Sequence, residues 1–196
     1  MIAFRTVIIV AFIAFVLAGC SSRYSRLGAE ERVRVGRSVT VEPQIEWNRR
    51  GGANVETWTV DGPALQRLVF LMGIPSRKTI VPLERTRGRP DLPVFDGRMT
   101  ALEVRDLFTA TMVWIGHYQV DTRDLRPTEF GGQAGFRFEF GYVTKDGLEM
   151  SGFAAGAIVE RKLYLVYYVG AAVHYFDAHK GQAEQVVASL TFDPAP

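Results

Sequence analysis

Apolar residues along the chain recur either in alternation or in short continuous runs, broken by turn formers. The pattern predicts several strands, a helix, three more strands and a second helix. The clearest strand holds Phe136, Phe138, Phe140 and Tyr142, which alternate with Arg137, Glu139 and Gly141 and so place four rings on one face. Lys145-Asp146-Gly147 is a hairpin signal. A Gly- and Ala-rich strand over 148–159 returns, Glu160-Arg161-Lys162 turns, and the continuous run 163–169 (LYLVYYV) predicts a central strand. Earlier, 38–42 (SVTVE) alternates as a half-buried strand and ends at Pro43, with 45–47 as a short continuation. Arg49-Arg50-Gly51-Gly52 predicts a turn, 55–60 a second strand, Asp61-Gly62-Pro63 a turn and 65–72 a third strand. Thr100 and Glu103 have capping-box spacing, so a helix should follow over about 101–113, with Val104, Leu107, Phe108 and Thr111 on its inward stripe. A closing helix is expected over 178–190, with Asp177 as N-cap, Val186, Val187 and Leu190 inward and Phe192 as a tail. Residues 76–98 and 121–132 read as irregular connections. Hairpin-linked strands with flanking helices define an α+β fold with an antiparallel β-sheet.

The N-terminus has a different pattern. Arg5 sits in a short charged start, residues 6–16 (TVIIVAFIAFV) are almost wholly apolar, and Leu17-Ala18-Gly19-Cys20 follows. Charged head, apolar stretch and small residues form the order of a secretory signal. The run is shorter than the roughly 20 residues of a bilayer span. Leu17-Ala18-Gly19-Cys20 resembles the lipobox of bacterial lipoproteins. The resemblance implies diacylglyceryl transfer to the Cys20 sulfur, cleavage between Gly19 and Cys20, and acyl chains such as palmitate as the membrane anchor. Ser21 stands where an inner-membrane lipoprotein commonly carries Asp, which implies the outer membrane, facing the periplasm. The expected organisation is therefore a signal peptide over 1–19, a polar tether over 20–37, and one globular domain over 38–196. The tether carries Arg23, Arg26, Arg32 and Arg34 against Glu30 and Glu31. It reads as a solvated linker, and as a basic segment it would be drawn weakly to anionic headgroups.

Composition narrows the function classes. Without Arg5 the chain has 22 basic and 21 acidic residues, and this balance gives no reason to expect a nucleic-acid partner. Arginine outnumbers lysine 19 to 4. That bias is what a GC-rich genome produces, and bidentate anion recognition is the sharper alternative. With one cysteine there is no internal disulfide and no thiolate metal cluster.

Candidate chemistry is sparse. His174, Asp177 and His179 carry metal-ligating groups, but five residues turn a helix so that the two histidines point about 140° apart. His117 is expected beside a helix C-terminus. There is no Gly-x-Ser-x-Gly elbow and no Ser-x-x-Lys, and Ser151 has no evident base. Glu139, Glu149 and Glu160 would have to converge to act as a glycosidase pair. Trp47, Trp58 and Trp114 are expected in the core or on a binding surface. No cofactor is expected. The strongest binding candidate is the connection 76–98, with Arg77, Lys78, Arg85, Arg87, Arg89 and Arg98 presented to an anion or a protein partner.

Residues 135–192 carry GFRFEFGYV, a Gly/Ala-rich return strand, KLYLVYYV, HYFD and a helix ending SLTF. This segment resembles the PsbP-like fold, named for an extrinsic photosystem subunit and recurrent in bacterial envelope lipoproteins. The resemblance covers about a third of the chain, brings no catalytic motif and implies no photosynthetic role. The expected function is a membrane-anchored, non-enzymatic binding or assembly module of the envelope. The alternatives are a carrier of a small ligand or lipid, which needs a cavity of roughly 300 Å³, and a hydrolase, which needs converging carboxylates or histidines.

Overall fold

The aromatic alternation at 136–142 forms part of one buried layer. Phe136, Phe138, Phe140 and Tyr142 are all buried, and they lie under a helix. The computed structural model describes residues 24–30, 32–81 and 91–193. The leader with Gly19 and Cys20, and Arg85, Arg87 and Arg89 of the basic connection, lie outside the described residues.

The strands are β1 (Ser25–Leu27), β2 (Val33–Val35), β3 (Val39–Val41), β4 (Trp47–Arg50), β5 (Val55–Thr59), β6 (Gln66–Pro75), β7 (Tyr118–Phe130), β8 (Gln133–Val143), β9 (Glu149–Val159), β10 (Lys162–Ala171) and β11 (Thr191–Phe192). The helices are α1 (Ala101–Trp114) and α2 (Tyr175–Ala188). An eight-stranded sheet runs β1-β4-β5-β6-β10-β9-β8-β7, and a three-stranded sheet runs β11-β3-β2. Every pairing is antiparallel. β10 is central, which explains its unbroken apolar run.

The large sheet is buried on both faces. On one, Phe108 of α1 packs against Phe138, Phe140 and Tyr167 with ring centroids 4.7–5.5 Å apart. The capping box starts α1 as expected: Thr100 Oγ1 accepts from the Glu103 N–H, and the Glu103 carboxylate accepts from the Thr100 N–H at 2.7 Å. Gly116, at φ +96°, ends it, because its N–H donates to Val113 O while the His117 N–H donates to Met112 O, a Schellman closure. On the other face, α2 and the small sheet cover Trp47, Trp58, Phe70, Phe153 and Tyr168. Gly170 lets α2 approach, since a Cβ there would stand 2.7 Å from the Phe176 nitrogen. Arg137 of β8 donates to Glu184 of α2 at 2.6 Å.

Four expectations need correction. The segment expected as a tether over 20–37 holds β1 and β2, and Leu27, Val33 and Val35 are buried, so the folded domain starts well before Ser38. Arg49 and Arg50 belong to β4 rather than to a turn. Residues 121–132 are not irregular, because β7 runs through them to Phe130 as a sheet edge. Its side chains are mostly polar and exposed, its register shifts twice, and Pro127 is tolerated on an edge strand, so no apolar alternation marked it. Last, α2 begins at Tyr175. Its N-cap is His174, and Asp177 sits in the first turn, where a carboxylate favours the helix dipole.

Candidate functional site

The basic connection closes on itself at its base. The Arg77 N–H donates to Phe95 O at 2.7 Å and the Phe95 N–H to Lys78 O at 2.9 Å, so the legs 76–81 and 91–98 run side by side. Phe95, Ile80 and Leu92 are buried beneath them, while Arg77, Lys78 and Arg98 are exposed. Gly97 lies against the β9–β10 hairpin, where a Cβ would stand 2.5 Å from Arg161 O. That hairpin carries Arg161 and Lys162, both exposed, and Lys162 pairs with Pro75 at the foot of the first leg.

Two further cations lie towards this end of the sheet. The β2–β3 turn brings Arg37 towards it, since a Cβ on Gly36 would stand 3.1 Å from Met72 Cβ and 3.3 Å from Ala53 O. Arg50 lies on the approach to it, level with Val69 on a strand that runs towards that end. Arg98 is bound to Asp96 within its own turn. Those hydrogen bonds hold the Asp96 carboxyl below the usual carboxylate range and raise Arg98 in return. Arg37, Arg50, Arg77, Lys78, Arg161 and Lys162 make no ion pair among the described residues. By contrast, Arg26, Arg32, Arg34, Arg49, Arg105, Arg123 and Arg137 each pair with a carboxylate. Of this cluster, Arg77, Lys78 and Arg98 were legible in the sequence. Arg37, Arg50, Arg161 and Lys162 were not, because three separate turns bring them in.

At the hairpin tip, Glu160 and Arg161 have φ of +49° and +61°. A two-residue hairpin of this hand needs left-handed backbone at both positions. The neighbouring β7–β8 hairpin meets that need with Gly131 and Gly132. The basic tip instead holds a charged pair in a conformation that costs L-residues energy.

The opposite end differs in charge. The turns there present Asp61, Asp146, Glu149 and Asp177, with Lys145 and Lys180 and with exposed Leu148, Tyr118 and Val173. Beneath it, on the α1 face, Arg67 donates to Tyr142 Oη at 2.9 Å and to Pro63 O at 2.9 Å. The His117 ring stacks on Tyr142 at 4.0 Å. Burial pushes the Tyr142 phenol up, against the lowering effect of Arg67.

The other sequence candidates do not converge. His179 Nε2 lies 2.9 Å from Asp61 Oδ2, His174 meets Tyr175 edge-on, and His117 belongs to the opposite face of the sheet. No cluster of three or more His, Cys, Asp or Glu suited to a metal occurs among the described residues. Glu149 opens the eleven-residue β9 and Glu160 follows its end, about 35 Å away, and Glu139 pairs with Arg123. Trp47 and Trp58 are core residues, and Trp114 is half-buried. A cavity of about 60 Å³ lies between α1 and β6, lined by Leu71, Ile80, Phe108, Met112 and Tyr167. It is far below the volume a lipid or drug-sized ligand needs.

An antiparallel sheet with a helix on each face makes an α+β domain, the arrangement of the PsbP-like fold. In comparison with solved structures, the chain is similar to PsbP of the cyanobacterium Synechocystis sp. PCC 6803, with a TM-score of 0.54 and 17% identity over 89% of this chain and 95% of that one. That likeness shows the fold. LpqN of Mycobacterium tuberculosis, described as involved in cell envelope biogenesis, aligns with a TM-score of 0.46 and 10% identity over 88% of this chain and 93% of that one. PA94 of Pseudomonas aeruginosa, a protein of unknown function, aligns with a TM-score of 0.42 and 11% identity over 86% and 99% of the two chains. No family model matches the sequence, and no curated protein matches it.

Proposed function

We propose that this protein is a lipid-anchored module of the bacterial cell envelope, held by Cys20 at the periplasmic face of the outer membrane, and that it works by binding rather than by catalysis. The observation that carries the reading is Leu17-Ala18-Gly19-Cys20 directly after an apolar run of signal length. Two or three acyl chains on Cys20 would make attachment effectively permanent, since each buried CH₂ contributes about 0.8 kcal/mol. The binding role is supported by a PsbP-like domain whose histidines and carboxylates are spread over both faces and both ends of the sheet. A partner among envelope proteins fits a domain of this kind.

Metabolic labelling with a palmitate analogue tests the anchor. The native chain takes up label and sediments with membranes, while Cys20→Ser does neither. An unlabelled native chain, or a labelled Cys20→Ser variant, overturns the reading.

A further inference from the structure

The end of the sheet that gathers Arg77, Lys78, Arg161 and Lys162, with Arg37 and Arg50 on the approach to it, is also the end toward which β1 points when followed back to its start. Ser25 pairs with Arg49, and Arg50, Thr57 and Val69 follow in register across β4, β5 and β6. Residues before Ser25 therefore leave β1 in the direction in which β6 runs to Pro75. Only residues 21–24 separate Cys20 from β1, so Cys20 lies within about 17 Å of Ser25 at full extension. β1 stands three strands from β6, roughly 14 Å across the sheet. Ser25 stands level with Leu68, seven residues before Pro75, so a chain continuing in that direction would bring Cys20 within reach of the basic end.

We infer that this basic end is a docking surface for anionic phospholipid headgroups, which lays the domain against the membrane in one orientation with the Val173 end pointing away. This deepens the anchored-module reading and rests on it for the position of the bilayer; the charge pattern stands independently. The cations are exposed and come from four separate segments. The nearby acids are Asp91, Asp96, Glu103, Glu129 and Glu160; Asp96 is already bound to Arg98 and Glu103 to Thr100. Basic groups beside a membrane gain energy from an anionic surface, and the gain fades within a Debye length. A tether of four residues limits how far these groups can move from the surface to a small multiple of that length, whereas one of eighteen residues would span up to about 60 Å.

The four lysines of the chain provide the test, because Lys78 and Lys162 lie at the basic end and Lys145 and Lys180 at the other. The chain beginning at Ser21 keeps every described element and lacks Cys20, so its binding is read without the anchor. Its partition onto phosphatidylethanolamine vesicles containing phosphatidylglycerol is compared with that onto phosphatidylcholine vesicles. Lys78→Glu with Lys162→Glu should lower binding to the anionic vesicles at least about thirtyfold. Lys145→Glu with Lys180→Glu, an identical change in net charge, should lower it less than about twofold. Circular dichroism checks that both variants fold. No preference for anionic vesicles, or equal loss in the two variants, overturns the inference. So does binding at this end to a protein but not to lipid. Failure here leaves palmitate labelling of Cys20 unaffected, so the two readings fail separately.

Discussion

Ser25 pairs with Arg49 at the outer edge of the eight-stranded sheet, only five positions after Cys20. This pairing turns a polar, linker-like segment into structure. Two residues on, Leu27 is buried against the core that holds Trp47 and Trp58. Leu27→Ala should therefore cost about 2–3 kcal/mol in urea denaturation. A change near zero would mean that the segment behaves as a tether.

Arg137 joins β8 to α2 by its bond to Glu184, and its guanidinium also lies 4.1 Å above the Phe153 ring. Glu184→Ala leaves a mostly buried cation without its carboxylate, at a cost of about 1–2 kcal/mol because Glu184 itself is partly solvated. Glu184→Ala combined with Arg137→Met should recover part of that loss. A double variant no more stable than the single one would show that the pair does not act as a unit.

The capping box of α1 gives an acid-side prediction. Hydrogen bonds from the Thr100 backbone and hydroxyl hold the Glu103 carboxyl below its ordinary range. A carboxyl depressed in the folded state contributes stability above its unfolded value, and that stability fades as pH falls through the folded one. Glu103→Gln should flatten the fall in urea midpoint below about pH 4.5. Thr100→Ala should cost about 1 kcal/mol at neutral pH. An unchanged acid slope in Glu103→Gln would place the acid sensitivity elsewhere.

On the alkaline side, burial raises the phenols of Tyr142 and Tyr168, the latter reinforced by Asp61 and Asp177. A phenol raised in the folded state contributes stability below its unfolded value near 10, and this is lost as pH climbs beyond it. Of the seven tyrosines, these two should ionise late in an absorbance titration at about 295 nm, together with unfolding. Early ionisation of all seven would contradict their burial.

Strands with a face to bury are legible in the residue pattern alone. Phe136 to Tyr142 and the run 163–169 announce β8 and β10 because each side chain meets a packed layer. The capping box announces α1 through purely local chemistry. β1, β2 and β7 are not legible, for a shared reason. Short or edge strands bury few side chains, so pairing rather than pattern defines them, and a pairing such as Ser25 with Arg49 leaves no local trace. The basic end is half visible in the same way. Arg77, Lys78 and Arg98 are close in sequence, whereas Arg37, Arg50 and Arg161 join them through sheet register.

In the proposed arrangement a four-residue tether holds this domain on the membrane with its basic end down. With Cys20 acylated, as proposed, it carries no thiol, so Lys162→Cys or Lys145→Cys gives the chain one reactive site for a fluorophore. Each labelled protein is reconstituted into vesicles that carry an acceptor in their headgroup layer, and energy transfer is compared. Transfer should be stronger from position 162 than from 145. Equal transfer, or stronger transfer from 145, would contradict that arrangement.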